Sequence, residues 1–410
     1  MVRVGQLDGS RETALRARVA LAARGVSWYR DIPGLTLHLE FLQSWGACHV
    51  ILDQMEHGVD LQVQQALPKH RRNHPSLKEH AGLGHEEFKR SKVQGKITWL
   101  GKRRPARLNV NPCALIISEK EDGSLKSRLI LDLLKGQVNK RVRRLPVNYG
   151  SVEQAVAKMD PGSWLYVVDL ADCFWHWRIS ENDSWELGFF DEHSGEFGKF
   201  DYCPNGLAPA PGVNDLSLKE ILRIMEDKLG FGLVDFVDDM LGEGAHENLA
   251  WARIEAVVEF FIAIGLQISQ KPGGLRPPAQ IQTWCGWIFD TLSLKVSSTE
   301  KKWKKALRRT GVVLTKNDSR SLMARELAEC AGILNHIAEV DISLRRLLHP
   351  IWADLNASQV YQLWQSHPNA DVKVALSERS RQNLQRWSSN SLASFPAITH
   401  DLWKFDFMEA

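Results

Sequence analysis

The sequence has few cysteines, no long apolar segment and little net charge. Its six cysteines are scattered without a Cys-x-x-Cys pair, which argues against a structural zinc site and favours a reducing compartment. No apolar run is long enough to cross a membrane, and the N-terminus lacks a secretory pattern. We therefore expect an intracellular protein, cytoplasmic or nuclear, with no membrane partner.

The 410 residues have an ordinary globular composition, so two or three domains with sizeable cores are expected. The net charge of +3 is a weak signal, but the basic residues are clustered. Such clusters fit a polyanionic partner better than the total charge does, although each is also typical of a solvated loop or helix face. The clusters lie at residues 102–104, 140–144 and 301–305.

Hydrophobic periodicity predicts a middle region of strands and helices followed by a helical tail. Strands are predicted at residues 113–117, 128–132, 164–170, 175–179, 186–190, 197–202, 267–269, 284–289 and 294–297. Helices are predicted at residues 11–24, 151–159, 209–229, 246–264 and 319–338, with helix throughout beyond Thr299. Ser151 and Gln154 match a capping box, and Asp122-Gly123 predicts a turn at residues 121–124. Strands with helices on one face indicate an α+β layer.

Asp238 and Asp239 stand side by side between two apolar runs, Gly232-Leu233-Val234 and Met240-Leu241. The runs are predicted to be two short strands with the acids at the tight turn between them. Taken alone, such a pair is typical of an exposed turn. A turn also lets both carboxylates crowd one edge, where their repulsion is usually relieved by a divalent cation.

A third acid, Asp169, ends the apolar run Leu165-Tyr166-Val167-Val168. A strand this apolar is buried on both faces, so an acid at its end is costly unless it is solvated, paired or bound to metal. If this strand lies beside the acidic hairpin, Asp169 meets Asp238 and Asp239. Three such carboxylates suit two Mg²⁺ ions, with Mn²⁺ as an alternative, and that arrangement serves phosphoryl transfer.

Three segments resemble motifs A, B and C of reverse transcriptases, in the order and spacing of that family. They are Trp164-Leu-Tyr-Val-Val-Asp-Leu-Ala-Asp-Cys-Phe, Tyr202-Cys-Pro-Asn-Gly-Leu-Ala-Pro-Ala-Pro and Phe236-Val-Asp-Asp. Four further segments resemble other parts of the family. Ser127-Arg-Leu-Ile-Leu-Asp-Leu resembles a fingers segment, and Ile268-Ser-Gln-Lys-Pro resembles motif D. Trp284-Cys-Gly-Trp-Ile resembles the motif E primer grip, and Cys330-Ala-Gly-Ile-Leu-Asn-His-Ile resembles the thumb. The resemblance covers about residues 95–355 and is strongest to DIRS-like and Ty3/gypsy-like retrotransposons.

The resemblance implies a right-hand polymerase of the α+β class, with fingers, a palm containing an antiparallel sheet, and a helical thumb. The implied domains are an N-terminal, partly helical extension at residues 1–95, fingers at 96–163, palm at 164–298, thumb at 299–356 and a helical connection at 357–410. No ribonuclease H acid set follows residue 355, and no integrase, protease or recombinase motif is visible. We therefore expect a fragment of a longer polyprotein or a decayed element.

The resemblance also implies a catalytic site. Asp169, Asp238 and Asp239 match the metal ligands, and the backbone carbonyl of Leu170 would complete one metal site. The matching dNTP-site residues are Lys120 (or Lys126) for the γ-phosphate, Arg128 for the triphosphate, Asp172, Phe174 as the gate under the sugar, Asn205, and Lys271 as a general acid. Without the resemblance, each of these cations is equally an ordinary surface charge, and Phe174 an ordinary core residue.

A second group of residues matches the parts that hold the primer and template. Trp284, Gly286 and Trp287 correspond to the primer grip, although their alternation also suits a core strand. Lys301, Lys302 and Lys305 would follow the phosphate backbone of the nucleic acid. By contrast, His176 and Trp177 are expected to pack in the sheet.

The chain departs from the family at two positions: Asn205 stands where Gln or Phe is usual, and Phe236 replaces the usual Tyr. An RNA-dependent RNA polymerase usually has an acid and a glycine where this chain has Phe174 and Val237, so DNA synthesis is favoured. We expect an RNA-directed DNA polymerase that uses dNTPs, a DNA primer and an RNA or DNA template in retrotransposon replication, alongside other Pol domains. The alternative is a catalytically weak or domesticated polymerase-fold scaffold that binds nucleic acid.

Overall fold

The computed structural model describes residues 39–64, 67–119, 125–269, 271, 273–340, 342–357, 359–360, 363, 370–389 and 399–401. The predicted helix at 11–24, the turn at 121–124, Lys120 and the side chain of Lys126 lie outside them. The chain divides into two compact units: Met1–Gly150, Tyr166–Gly242 and Asn248–Pro277 form the first, and Ser151–Leu165, Glu243–Glu247 and Pro278–Ala410 form the second. Within the described part, no helix has the length and apolar character that a membrane span requires.

The strands of the described residues form four sheets, with orders β1-β6-β5, β2-β3, β7-β8-β4-β9 and β10-β11-β12-β13. The strands are β1 (Ile97–Gly101), β2 (Cys113–Glu119), β3 (Leu125–Leu131), β4 (Trp164–Asp169), β5 (Gly188–Asp191), β6 (Glu196–Phe200), β7 (Val234–Phe236), β8 (Asp239–Gly244), β9 (Leu275–Ala279), β10 (Ile281–Trp284), β11 (Trp287–Asp290), β12 (Lys295–Ser298) and β13 (Thr399–Asp401). Antiparallel hairpins join β2 to β3, β5 to β6 and β7 to β8.

The sheet β7-β8-β4-β9 carries the predicted acids. Four consecutive side chains of β4, from Leu165 to Val168, are fully buried, as its apolar sequence predicts. No strand is predicted at β9, which contains Pro277 and Pro278, two residues that cannot donate backbone hydrogen bonds. The structure places β9 at the edge of the sheet, where missing donors are tolerated.

The α-helices are Leu39–Ser44, His49–His57, Pro75–Glu79, Ala81–Val93, Val152–Ala157, Glu181–Ser184, Ala210–Leu229, Glu247–Ala263, Glu300–Asp318, Ala324–Ile337, Ile342–Ala357 and Glu378–Ser389. Short 3₁₀ helices lie at Val138–Lys140, Cys173–His176, Trp185–Leu187 and Ala338–Val340. The capping box is confirmed, since the Ser151 hydroxyl accepts from the Gln154 N–H and the Gln154 side chain accepts from the Ser151 N–H.

The second unit has a helical core that follows the predicted apolar stripe. Leu322, Leu327, Ala331, Leu334 and Ala338 are all fully buried. They belong to one cluster with buried tryptophans from two other helices, Trp303 and Trp387. The amphipathic period therefore predicted correctly which face of this segment is buried.

Five predicted elements differ from the structure. The helix predicted at 319–338 begins only at Ala324. The strand predicted at 175–179 is replaced by a 3₁₀ helix at Cys173–His176, which follows Asp172 at φ +53°, and only isolated bridges form at Arg178 and Ile179. The strand at 284–289 is instead a hairpin, because Cys285 and Gly286 both have positive φ. At 267–269 only an isolated bridge forms, between Leu170 and Ile268. The tail is not helical throughout, since β13 pairs with β12.

Candidate active site

Asp238 lies in a two-residue turn between β7 and β8. Phe236 pairs with Asp239, so Val237 and Asp238 form the loop and Asp239 begins β8, which confirms the predicted hairpin. Val237 has φ +61°, a value that the first loop residue of a type II′ turn adopts and that glycine usually supplies. A β-branched residue in this conformation is strained, so the surroundings must hold it.

Asp169 ends β4, the strand beside β8 in the sheet. The Leu170 N–H donates to the Asp238 carbonyl over 2.8 Å, which joins the strand end to the acidic turn. The backbone of Asp169 is held as well, since its N–H donates to Gly274 over 2.7 Å and its carbonyl accepts from Ser269 over 2.8 Å. The sheet therefore places the backbones of Asp169 and Asp238 next to each other.

A cavity of about 630 Å³ lies at this point in the first unit. Among its walls are eight of the residues predicted for the site: Asp169, Leu170, Asp238, Arg128, Asp172, Phe174, Asn205 and Lys271. Arg128 and Lys271 are exposed, whereas Asp238 in the turn and Asp169 at the end of β4 are partly buried. Asp169 and Asp238 are thus less exposed than the two cations Arg128 and Lys271.

The acids in the cavity have perturbed electrostatics. The pKa of Asp169 is raised to about 6, mainly by burial and also by the nearby Asp238 and Asp239 carboxylates, while Lys271 acts in the opposite direction. Burial also raises the pKa of Asp238, with Asp239 adding to the effect. A cation placed between Asp169 and Asp238 would stabilise their charged forms, because it offsets both the loss of hydration and the mutual repulsion of the carboxylates.

Asp239 is engaged differently from the other two acids. Burial raises its pKa, while the Arg276 guanidinium, 3.3 Å from its carboxylate, acts in the opposite direction. Within the described ranges, no three His, Cys, Asp or Glu side chains gather closely enough to bind one metal ion. The predicted cluster of three carboxylates is therefore seen only in part: Asp169 and Asp238 line the cavity, and Asp239 is paired with Arg276.

The donor set fits a divalent cation through two of its carboxylates. Asp169 and Asp238 line one cavity and are hard oxygen donors, the type that Mg²⁺ and Mn²⁺ prefer. Burial and mutual repulsion raise the pKa of both carboxyl groups, and a bound cation would offset both effects. Asp239 would join them only if its contact with Arg276 were exchanged for the metal.

Lys96 is a cavity residue that the sequence analysis did not identify. It is only 4% exposed, and its ammonium group lies 2.6 Å from the Asp172 carboxylate and 5.1 Å from the ring centre of Trp175. Burial alone would raise the pKa of Asp172, but Lys96 holds it below the ordinary value. A single lysine just before a strand has no distinguishing pattern, so no sequence signal marks it.

His176 and Trp177 are buried as expected, but they form hydrogen bonds instead of packing in a strand. The Cys173 carbonyl and the Gln267 N–H lie 3.1 and 2.9 Å from the two ring nitrogens of His176. The indole of Trp177 donates to Asn214 over 2.8 Å. Asn214 was not predicted, although a polar residue on the buried side of an amphipathic helix is a signal that could have identified it.

The predicted primer and template residues belong to the second unit. Trp284 and Trp287 are fully buried, as the core-strand interpretation requires. Lys302 donates to the Cys285 carbonyl over 2.8 Å, and burial lowers the pKa of its ammonium group to about 8. It thus supports the turn at Gly286, whereas Lys301 and Lys305 are exposed on the same helix.

Three solved structures of foamy viral protease-reverse transcriptase are similar to this chain. The complex with an RNA/DNA hybrid matches with a TM-score of 0.59 and 14% identity, over 95% of this chain and 46% of that chain. The dRH form with double-stranded DNA gives 0.56 and 14%, over 95% and 60%, and another double-stranded DNA complex gives 0.55 and 14%, over 94% and 68%. This chain therefore spans about half the length of the first of them. No protein-family model and no curated protein sequence matches it.

This chain has a reverse transcriptase-like fold. The predicted class, an α+β right-hand polymerase, is thereby confirmed. At 14% identity the likeness concerns the fold, so the retrotransposon class, the domain boundaries and the roles of the site residues stay predictions.

Proposed function

We propose that this chain is an RNA-directed DNA polymerase that extends a DNA primer on an RNA or DNA template with dNTPs. The observation that supports this most is the meeting of Asp169 and Asp238 in one cavity with Arg128 and Phe174. Partly buried carboxylates suit metal ions, and exposed cations suit a polyphosphate. Together they fit a nucleoside triphosphate that arrives with its metal.

Asp169 and Asp238 would hold divalent metal, with the Leu170 carbonyl and, after leaving Arg276, Asp239 as further ligands. When bound, two such ions supply Lewis-acid stabilisation of the attacking and leaving oxygens of the phosphoryl transfer. Within this chain, the hydrogen bond from Leu170 to Asp238 keeps the two acids in register. The Arg276 guanidinium serves as the counter-ion of Asp239 in the absence of metal.

The remaining cavity residues would bind the nucleotide. The guanidinium of Arg128 has the planar, forked geometry that binds phosphate oxygens in pairs. Lys271 would hold the phosphate oxygens and give a proton to the departing pyrophosphate. The ring of Phe174 would lie under the sugar and exclude a 2′-hydroxyl, while Asn205 would contact the base pair or nucleotide. Lys120 is proposed for the γ-phosphate from its motif alone.

The wider context is also part of the proposal. The motifs suggest a retrotransposon element of the DIRS-like or Ty3/gypsy-like class, working inside the cell with other Pol domains. In the second unit, Lys301 and Lys305 would follow the phosphate backbone, and Trp284, Gly286 and Trp287 would form the primer grip. Binding through phosphate contacts should weaken steeply as the salt concentration rises.

Primer extension on poly(rA)/oligo(dT) with Mg²⁺ tests the proposal most directly. We expect the wild-type chain to incorporate dTTP and the Asp238→Asn variant to lose all but about one part in a thousand of that rate, since a neutral amide is a poor metal ligand. The exposed Asp53→Asn variant is the matched control and should extend normally. Equal extension by wild type and Asp238→Asn would refute the proposed polymerase activity.

A second candidate, a nucleic-acid-binding scaffold with weak or no catalysis, is favoured by one observation. The Arg276 guanidinium already pairs with Asp239, so the protein itself supplies part of the positive charge that a metal ion would bring. A scaffold would bind template–primer equally well with and without Mg²⁺ and would not extend it. Measuring binding and extension on the same preparation separates the two functions.

A further inference from the structure

Asn214 occupies a fully buried position in the helix Ala210–Leu229, directly behind the acidic turn. Its side-chain nitrogen donates to the Val237 carbonyl over 2.8 Å. Its oxygen accepts from the Trp177 indole over 2.8 Å and lies 2.8 Å from the Cys173 thiol. One amide therefore joins the helix, the segment after β4 and the turn that carries Asp238.

The orientation of this amide follows from chemistry. The indole N–H of Trp177 can only donate, so the Asn214 atom that faces it must be the oxygen. The nitrogen is then left to donate to Val237. Trp177 is 2% exposed and Asn214 is 0% exposed, so water does not compete for either contact. The direction of the hydrogen bond to the turn is thus fixed.

The turn needs such support because Val237 is strained at φ +61°. The Val237 carbonyl accepts a hydrogen bond from the Asn214 amide, and the Cys173 thiol lies 3.4 Å from the same oxygen. The next carbonyl, that of Asp238, accepts a hydrogen bond from the Leu170 N–H. The peptide groups on both sides of Asp238 are therefore hydrogen-bonded, one to Asn214 and one to Leu170. These two contacts hold the backbone of Asp238 in one orientation.

We propose that Asn214 is a positioning residue, which holds the strained Val237–Asp238 turn and thereby fixes the Asp238 carboxylate in the cavity. The effect on catalysis rests on the proposed polymerase function, but the effect on the turn does not. Asn214 touches no reacting group, so its loss acts through the geometry of the turn. A displacement of about 1 Å at a catalytic group can cost about 100-fold in rate.

Two measurements test this on the full chain. Hydrogen exchange of the peptide covering residues 234–241 reports the turn directly, and we expect Asn214→Ala to exchange about tenfold faster there. In primer extension the same variant should lose up to about 100-fold in kcat while KM for dTTP changes little, because the nucleotide contacts remain.

A second substitution checks the strain argument. Glycine adopts positive φ without strain, so Val237→Gly should restore most of the exchange protection, and most of the kcat, that Asn214→Ala removes. Leu294 is the matched control: it also has positive φ, +55°, but lies in the β11–β12 turn of the second unit. Leu294→Gly should restore nothing in the Asn214→Ala background.

The results have distinct meanings. Unchanged exchange at residues 234–241 in Asn214→Ala would overturn the proposal, as would lost protection that Val237→Gly does not restore. If Asn214→Ala fails to fold, Trp177→Phe removes only the donor that orients the amide and should loosen the same peptide to a smaller extent. If the wild-type chain shows no extension, the proposed polymerase function is wrong. The hydrogen-exchange data still test whether Asn214 holds the turn.

Discussion

His176 should make the stability of the first unit fall as the pH is lowered from 6.5 to 4. The ring is fully buried, and the Gln267 N–H, which can only donate, requires an unprotonated nitrogen opposite it. The other nitrogen then carries the proton and donates to the Cys173 carbonyl. Protonation of the ring would break the contact to Gln267 and bury a charge.

The size of the effect follows from the pKa. Burial lowers the pKa of His176 from 6.5 to about 4, while the neighbouring charges of Asp172 and Lys96 act in opposite directions. Because the folded pKa is the lower one, the stabilisation is fully present above pH 6.5 and is lost as the pH falls towards 4. The difference corresponds to about 3 kcal/mol in the free energy of unfolding.

Urea unfolding between pH 4 and 7.5 measures this contribution. The His176→Gln variant keeps one donor and one acceptor but cannot titrate, so its stability should decline about 3 kcal/mol less than that of wild type over this range. The exposed His57→Gln variant is the control and should retain the full wild-type decline. Parallel curves for wild type and His176→Gln would refute the reasoning.

Two further predictions concern the cavity. Phe174→Ala should raise the ratio of ribonucleotide to deoxynucleotide incorporation, because the ring would no longer exclude a 2′-hydroxyl; unchanged sugar discrimination in competition assays would remove the gate assignment. Asp169→Asn should abolish extension yet stabilise the metal-free protein at pH 8, by about 1 kcal/mol after allowance for solvent screening. The sign follows because the raised pKa of Asp169, about 6, means that its charge opposes folding above that pH. Unfolding in the presence of EDTA checks this, and an equal gain at pH 4 would contradict it.

Much of the secondary structure could be read from local pattern. The runs of β4 and of the Asp238 hairpin are short, apolar and bounded by turn residues, as buried strands are, and the stripe from Leu322 to Ala338 has a helical period. Two of the errors share one cause. Positive φ at Asp172 and Cys285 interrupts apparent strands, and a single residue of either type does not by itself predict that conformation. The edge strand β9 was missed because its prolines oppose strand formation except at an edge.

The sequence by itself predicted that Asp169 and Asp238 lie close together, and the structure places both in one cavity. Asp169 after an apolar run and Asp238-Asp239 between two others were sufficient, since burial makes unpaired acids costly. Only the tertiary structure decided how these acids are held. It assigned Arg276 to Asp239, Lys96 to Asp172 and Asn214 to the strained turn, because each of these contacts joins residues at least 23 positions apart. Hydrogen bonds over such separations depend on how the sheet and helices pack, which no local pattern encodes.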